Sequence, residues 1–213
     1  MKYSLNQILH ADCMDVMKEI PDKYFELAIV DPPYGIGRAG QSETFTKNPK
    51  HKRKHHQSKE WDNELPSAEY FAELFRVSNN QIIWGANYFT EFIPSSMGWV
   101  FWDKGQDLSM SDGELAFTSF DVALRRTIIN RVELLKDGTI HPTQKPVKLY
   151  KWLLDKYAKQ GDKILDTHGG SCSLAIACID YGFEYLITEK DEDYYREAIK
   201  RVTNFNNQFN LFL

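Results

Sequence analysis

Two short stretches hold residue types whose spacing can do chemistry. In Asp31-Pro32-Pro33-Tyr34-Gly35 two successive prolines fix φ and push the preceding residues into extended backbone, making a stiff turn. A primary amine on a planar base has two N–H donors. The Asp31 carboxylate and the Pro32 carbonyl can accept one each, while Tyr34 offers a ring face for stacking. A plain proline-rich strand terminator is the alternative. In the second stretch, Thr167-His168-Gly169-Gly170-Ser171, glycines let the backbone approach a ligand closely. Glu189 lies 23 residues beyond Asp166, where an acid at a strand end can accept hydrogen bonds from both hydroxyls of a ribose. The pair reads as an adenosine-type cofactor site; a turn without a ligand is the alternative.

Elements that alternate in type must position these stretches. Short apolar runs read as strands at Gln7–His10, Leu27–Val30, Gln81–Trp84, Trp99–Trp102, Lys163–Asp166 and Glu184–Glu189, with Leu115–Phe120 a strand near a sheet edge. Helical spacing covers Cys13–Ile20, stopped by Pro21, and a segment capped by Ser67 and running to Val77. A third helix opens at Pro146 and buries Val147, Tyr150, Leu153, Leu154 and Tyr157. Leu174–Tyr181, stopped by Gly182, is a fourth, and Asp191–Phe205 a fifth, with Tyr195, Ala198, Ile199 and Val202 facing the sheet. Strands alternating with helices predict a mostly parallel, doubly wound sheet, with ligands outside its carboxyl ends. Residues 121–140 fit no element.

Composition sets the outer bounds. The length of 213 residues, 42% of them hydrophobic, suits a single domain over 1–213. No run of eighteen apolar residues occurs, so no membrane partner and a cytoplasmic location are expected. Three cysteines without ligand spacing imply neither disulfides nor a metal, and His51, His55 and His56 have no carboxylate or thiol spaced with them. The net charge of −4 is uneven: Lys47–Lys59 carries six Lys/Arg and no acid, leaving ten net negative charges elsewhere. This basic run lies in a stretch, 36–66, without apolar periodicity, and reads either as a solvated loop or as a nucleic-acid contact.

With these motifs in place, the chain resembles the beta class of S-adenosylmethionine-dependent DNA amino-methyltransferases, and small phage or mobile-element members in particular. Asp31-Pro32-Pro33-Tyr34 matches the catalytic motif, His141-Pro142-Thr143-Gln144-Lys145-Pro146 the motif flanking the cofactor, and Ile164–Ser173 the glycine-rich cofactor motif. Their order, catalytic motif first, is the circularly permuted order of that class. The resemblance implies a Rossmann-like methyltransferase fold. It further implies that Asp12, with Cys13 beside it, binds the adenine of S-adenosylmethionine and Glu189 its ribose. Asp166, His168, Gly170 and Ser171 hold the methionine half, with His141, Thr143 and Lys145 closing over it. Asp31, Pro32, Pro33 and Tyr34 then act on a base flipped out of double-stranded DNA, adenine N6 being preferred because Asp precedes Pro-Pro-Tyr. Cytosine N4 and a non-catalytic nucleic-acid-binding subunit are the alternatives. Segments 36–66 and 106–140 are left for DNA, through Arg38, Lys52, Arg53, Lys54, Arg125, Arg126 and Arg131. A homodimer and a partner restriction nuclease fit the same resemblance. Two departures stand out: Thr167-His168 replaces the usual Pro-Phe, and Cys172 stands where a glycine is usual.

Overall fold

The computed structural model describes residues 2–37, 62, 65–105, 111–130 and 138–209. Arg38, Lys52, Arg53, Lys54, Arg131 and the whole basic run 47–59 lie outside the described residues, as do 106–110 and 131–137.

Among the described residues eight strands form one sheet: β1 (Gln7–His10), β2 (Phe25–Val30), β3 (Ser78–Trp84), β4 (Trp99–Asp103), β5 (Gly113–Thr118), β6 (Arg125–Ile128), β7 (Lys163–Asp166) and β8 (Glu184–Glu189). Their order is β1-β8-β7-β2-β3-β5-β4-β6. Neighbours run parallel except β5, which is antiparallel to both β3 and β4. The helices are α1 (Cys13–Met17), α2 (Ala68–Val77), α3 (Val147–Tyr157), α4 (Ser173–Tyr181) and α5 (Glu192–Phe209).

Apolar residues run continuously through the central strands because both faces are covered. Leu27 and Ile29 on β2, Ile82 and Trp84 on β3, Ile164 on β7 and Ile187 on β8 pack with residues of α3, α4 and α5. Their neighbours Ala28, Val30, Ile83, Leu165 and Leu186 pack with α1 and α2 on the other face, as the two-residue period of a strand requires. The α2 helix shows the local logic. Ser67 accepts the Tyr70 N–H at 3.3 Å as its cap, and Tyr70, Phe71, Leu74 and Val77 form the buried stripe. Burial of side chains such as Phe71 and Leu74 is worth roughly 1.5–3 kcal/mol each.

The structure corrects several sequence-based boundaries. The α1 helix ends at Met17. Glu19 and Ile20 donate to carbonyls three residues back, a tightened exit consistent with Pro21 disfavouring helix in the residue before it. Leu115–Phe120 is not near an edge: β5 lies between β3 and β4. The edge on that side is β6, missed in the sequence because only Thr127 of its four residues is buried, so no apolar alternation marks it. In α5, Tyr194 rather than Tyr195 joins Ala198 and Val202 among the buried residues; Tyr195 stacks on His10, ring centroids 5.2 Å apart. Tyr157 is only partly buried, while Leu149 completes the α3 stripe.

What positions the site is the junction of β7 and β2. From β7 the chain passes to β8 through α4 on one face; from β2 it passes to β3 through α2 on the other. Connections that leave adjacent parallel strands on opposite faces open a crevice at the strand ends. Asp166 ends one of these two strands and Asp31 follows the end of the other.

Candidate active site

Four consecutive strands in the sheet, β1, β8, β7 and β2, each bring an acid to the carboxyl edge: Asp12, Glu189, Asp166 and Asp31. Three of them, Asp12, Glu189 and Asp31, line one cavity of about 560 Å³ together with Asp191, while Asp166 is buried behind the turn that follows it. Asp12 caps α1, accepting the Met14 N–H at 2.9 Å on one oxygen and the Lys190 ammonium at 2.8 Å on the other, which holds its carboxyl below the ordinary range. Glu189 reaches back to accept the Gly170 N–H at 2.6 Å and the Asp191 N–H at 2.8 Å. Burial lifts Asp166 to about 7, against the one bond that favours its charge, from the His168 N–H at 3.0 Å. Cys13 also lines the cavity, its thiol pushed up to about 12 by burial.

The turn after β7 brings its backbone close to β8. A Cβ on Gly169 would sit 2.7 Å from the Ile187 methyl, so only glycine fits without displacing the strand. Cys172 has φ +52°, the left-handed backbone that glycine adopts at no steric cost. Here the cysteine adopts it and buries its sulfur completely. His168, brought down to about 4 by burial, is a neutral ring standing edge-on to Tyr70 at 5.3 Å. The Tyr70 hydroxyl meets Thr167 Oγ1 at 2.7 Å, so Thr167 and His168 are both tied to α2. His141 packs edge-on against Tyr194 at 4.3 Å with its ring over Gly170. Its Nδ1 lies 3.2 Å from Thr143 Oγ1. Ser171 Oγ lies 3.1 Å from Ser173 Oγ.

A second cavity, of about 580 Å³, lies on the other side of Asp31-Pro32-Pro33-Tyr34. The two share Asp31, Pro33, Thr143 and Lys145. Asp62, a residue that no sequence pattern singles out, accepts the Tyr34 and Gly35 N–H groups at 2.7 and 3.1 Å and so ties down the turn. The Tyr34 ring stacks on Tyr88, centroids 5.2 Å apart and planes 14° from parallel, and Tyr88 is 44% exposed. Gly85 makes room for Tyr34: a Cβ there would land inside its ring.

Asp31 is held from both sides. The Tyr34 hydroxyl donates to Oδ1 at 2.5 Å, and the Lys145 ammonium donates to Oδ2. Lys145 therefore does not simply close over the first cavity, as the sequence suggests. It also meets Glu114 at 3.2 Å, and Glu114 meets Lys104 at 2.9 Å. Burial pushes the Asp31 carboxyl up, opposed first by Lys145. Glu114 lies below its ordinary range because its two lysines outweigh its burial. Each Asp31 oxygen keeps accepting capacity, since a carboxylate offers about four lone-pair sites. Of the candidate DNA contacts, Arg125 and Arg126 are exposed on β6, and Arg126 is bound to Asp103 at 2.5 Å.

These motifs have counterparts. A family model described as DNA methylase, of the N6/N4 type, matches residues 83–200, which is more than half of the chain. The chain belongs to the N6/N4 DNA methylase family. The family uses S-adenosylmethionine. The matched stretch of this methylase runs from β3 into α5 and holds Glu114, Lys145, Asp166 and Glu189. Solved structures extend the likeness of fold to the whole sheet. The M1.HpyAVI–SAM complex is 20% identical, with a TM-score of 0.64 over 92% of this chain and 98% of that one. TTHA0409 of Thermus thermophilus, a putative DNA modification methylase complexed with S-adenosyl-L-methionine, is 14% identical, with a TM-score of 0.58 over 93% and 95%. The cytosine-N4-specific PvuII DNA methyltransferase is 11% identical, with a TM-score of 0.61 over 96% and 92%. Among the methylase's described residues no helix is long and apolar enough to cross a membrane.

Proposed function

We propose that this DNA methylase transfers a methyl group from S-adenosylmethionine to N6 of an adenine flipped out of duplex DNA. One observation carries the reading: two cavities meet at Asp31, one holding Asp12, Glu189 and the glycine turn after β7, the other the stacked rings of Tyr34 and Tyr88. The first suits a ligand that is cationic at sulfonium and ammonium and offers an adenine amine and ribose hydroxyls as donors, whereas an anionic dinucleotide would meet Asp12, Asp31, Glu189 and Asp191. Asp12 holds the adenine amine, with Cys13 beside it, and Glu189 the ribose. Asp166, His168, Gly170 and Ser171 hold the methionine half, under His141 and Thr143.

When bound, S-adenosylmethionine supplies a methyl carbon on sulfur, which keeps the bonding electron pair as the carbon passes to nitrogen. A base inside a duplex cannot reach the second cavity, so it must be extruded at a cost of a few kcal/mol; stacking on Tyr34 offsets part of that cost. Asp31 and the Pro32 carbonyl each accept one amine N–H and turn the nitrogen lone pair toward the shared wall. Positive charge developing on nitrogen is stabilised by the adjacent Asp31 carboxylate, and the surplus proton of the methylated amine then leaves to that carboxylate or to water. In-line placement of the reacting atoms across that wall supplies much of the rate. Adenine is favoured over cytosine by the aspartate before Pro-Pro-Tyr, the residue of adenine-specific members of the class.

The test is to incubate the protein and Asp31→Ala with S-adenosylmethionine and unmethylated duplex DNA, then identify modified nucleosides by mass spectrometry. N6-methyladenine is expected from the wild type, with a loss of at least roughly a hundredfold in the variant and cofactor binding largely retained. N4-methylcytosine would reassign the base, and undiminished turnover by the variant would remove Asp31 from the reaction.

A further inference from the structure

Asp31, Lys145, Glu114 and Lys104 form a chain of alternating charge along the wall of the second cavity. Lys145 is its pivot: a side chain whose residue is 3% exposed, with an ammonium that donates to both acids and lies 5.2 Å from the centre of the Trp84 ring. An ammonium committed to Asp31 alone would bind that carboxylate tightly and weaken it as an acceptor for an amine. A second carboxylate on the same nitrogen divides the attraction. Glu114 comes from β5, a strand that carries none of the acids at the first cavity.

Resting on the methyl-transfer reading above, we infer that Glu114 is a positioning residue for the reaction, acting through Lys145 to set the orientation and ionisation of Asp31 toward the base amine. Glu114 repels charge on Asp31, and Lys145 favours it. The other titratable groups facing Asp31 are Tyr34 in its own turn, Tyr70 from α2, Tyr150 from α3 and Asp166 at the end of β7, and the variants below leave all of them in place.

The test is the pH profile of single-turnover DNA methylation at saturating cofactor for wild type, Glu114→Gln, Lys145→Met and Lys145→Arg. Single turnover keeps product release out of the rate. With Glu114→Gln, Asp31 keeps Lys145 to itself and loses a repelling neighbour, so the acidic limb should move down by about one pH unit. With Lys145→Met it should move up by a similar amount, so that activity lost at neutral pH returns in part under alkaline conditions; Lys145→Arg should lie near wild type. A role in stability alone would lower the amplitude of each profile without moving its limb. Limbs that stay in place, or that move the same way in Glu114→Gln and Lys145→Met, would overturn the inference. Glu114→Gln differs from wild type by one charge at constant shape, so the direction of its shift decides the matter if Lys145→Met unfolds. A wild type that methylates no nucleoside would instead overturn the functional reading.

Discussion

Asp166 ends β7 with 3% of its surface exposed and its proton held to about pH 7 by burial. An unfolded aspartate ionises near 3.8, so between these values the folded chain binds a proton that the unfolded chain has lost. Stability contributed by this group therefore falls as pH rises from about 4 to about 7, and its full cost is present above that. Asn at this position still accepts the His168 N–H but has no charge to bury. Asp166→Asn should stabilise the ligand-free protein by a few kcal/mol at pH 8, the gain shrinking toward pH 4.5, as followed by urea midpoints at the two pH values. An equal gain at both would mean that Asp166 is not ionising in a buried setting. Asp31, Asp166 and Glu189 were legible in the sequence because each closes an apolar run, and strand ends are where such folds bind; Asp12 came from the family resemblance alone. Their partners were not. Lys145 meets Asp31 across 114 positions of sequence, and Asp62 meets Tyr34 across 28. Such pairings are created by strand order, which no local pattern encodes.

At the scale of elements, α4 begins on a residue in left-handed backbone, Cys172. The turn before it is closed by the Cys172 N–H on the Gly169 carbonyl at 2.7 Å, which leaves that conformation little room to relax. A left-handed conformation costs a residue bearing Cβ roughly 1–2 kcal/mol, and a β-branched residue pays more. Cys172→Val should therefore destabilise the protein by about 1–3 kcal/mol, and it should weaken cofactor binding because the same turn carries Gly170 and Ser171. Cys172→Gly should stay close to wild type, with relief of the backbone set against a lost buried sulfur. Urea denaturation and calorimetric titration with S-adenosylmethionine measure both effects; a valine variant as stable as wild type would show that the turn relaxes. Elements with strong apolar runs, such as β2, β3, β7, β8 and α2, were readable within a residue or three of their ends. The β6 strand was not, because an edge strand with one buried residue reads as loop.

For the whole molecule, the order of motifs along the chain was enough to anticipate a doubly wound sheet with its catalytic turn ahead of its cofactor turn, since strand–helix alternation constrains topology so strongly. Which basic residues would touch bases and which phosphates was not readable, because contacts to both use the same arginines and lysines. The wall between the two cavities has a kinetic consequence. Among the described residues only Asp31, Pro33, Thr143 and Lys145 face both; on the methyl-transfer reading proposed above, a spent cofactor then leaves from one cavity while the base and its duplex stay at the other. The protein should therefore be able to refill while still seated on its polymer. On a DNA carrying two target sites, with excess substrate and trace enzyme, doubly modified molecules should appear early rather than after singly modified ones accumulate. Accumulation of singly modified DNA first would mean that each round of cofactor exchange requires release. If exchange proceeds on the polymer, methylation spreads by travel along one molecule, and a few copies of the protein can mark long tracts before they let go.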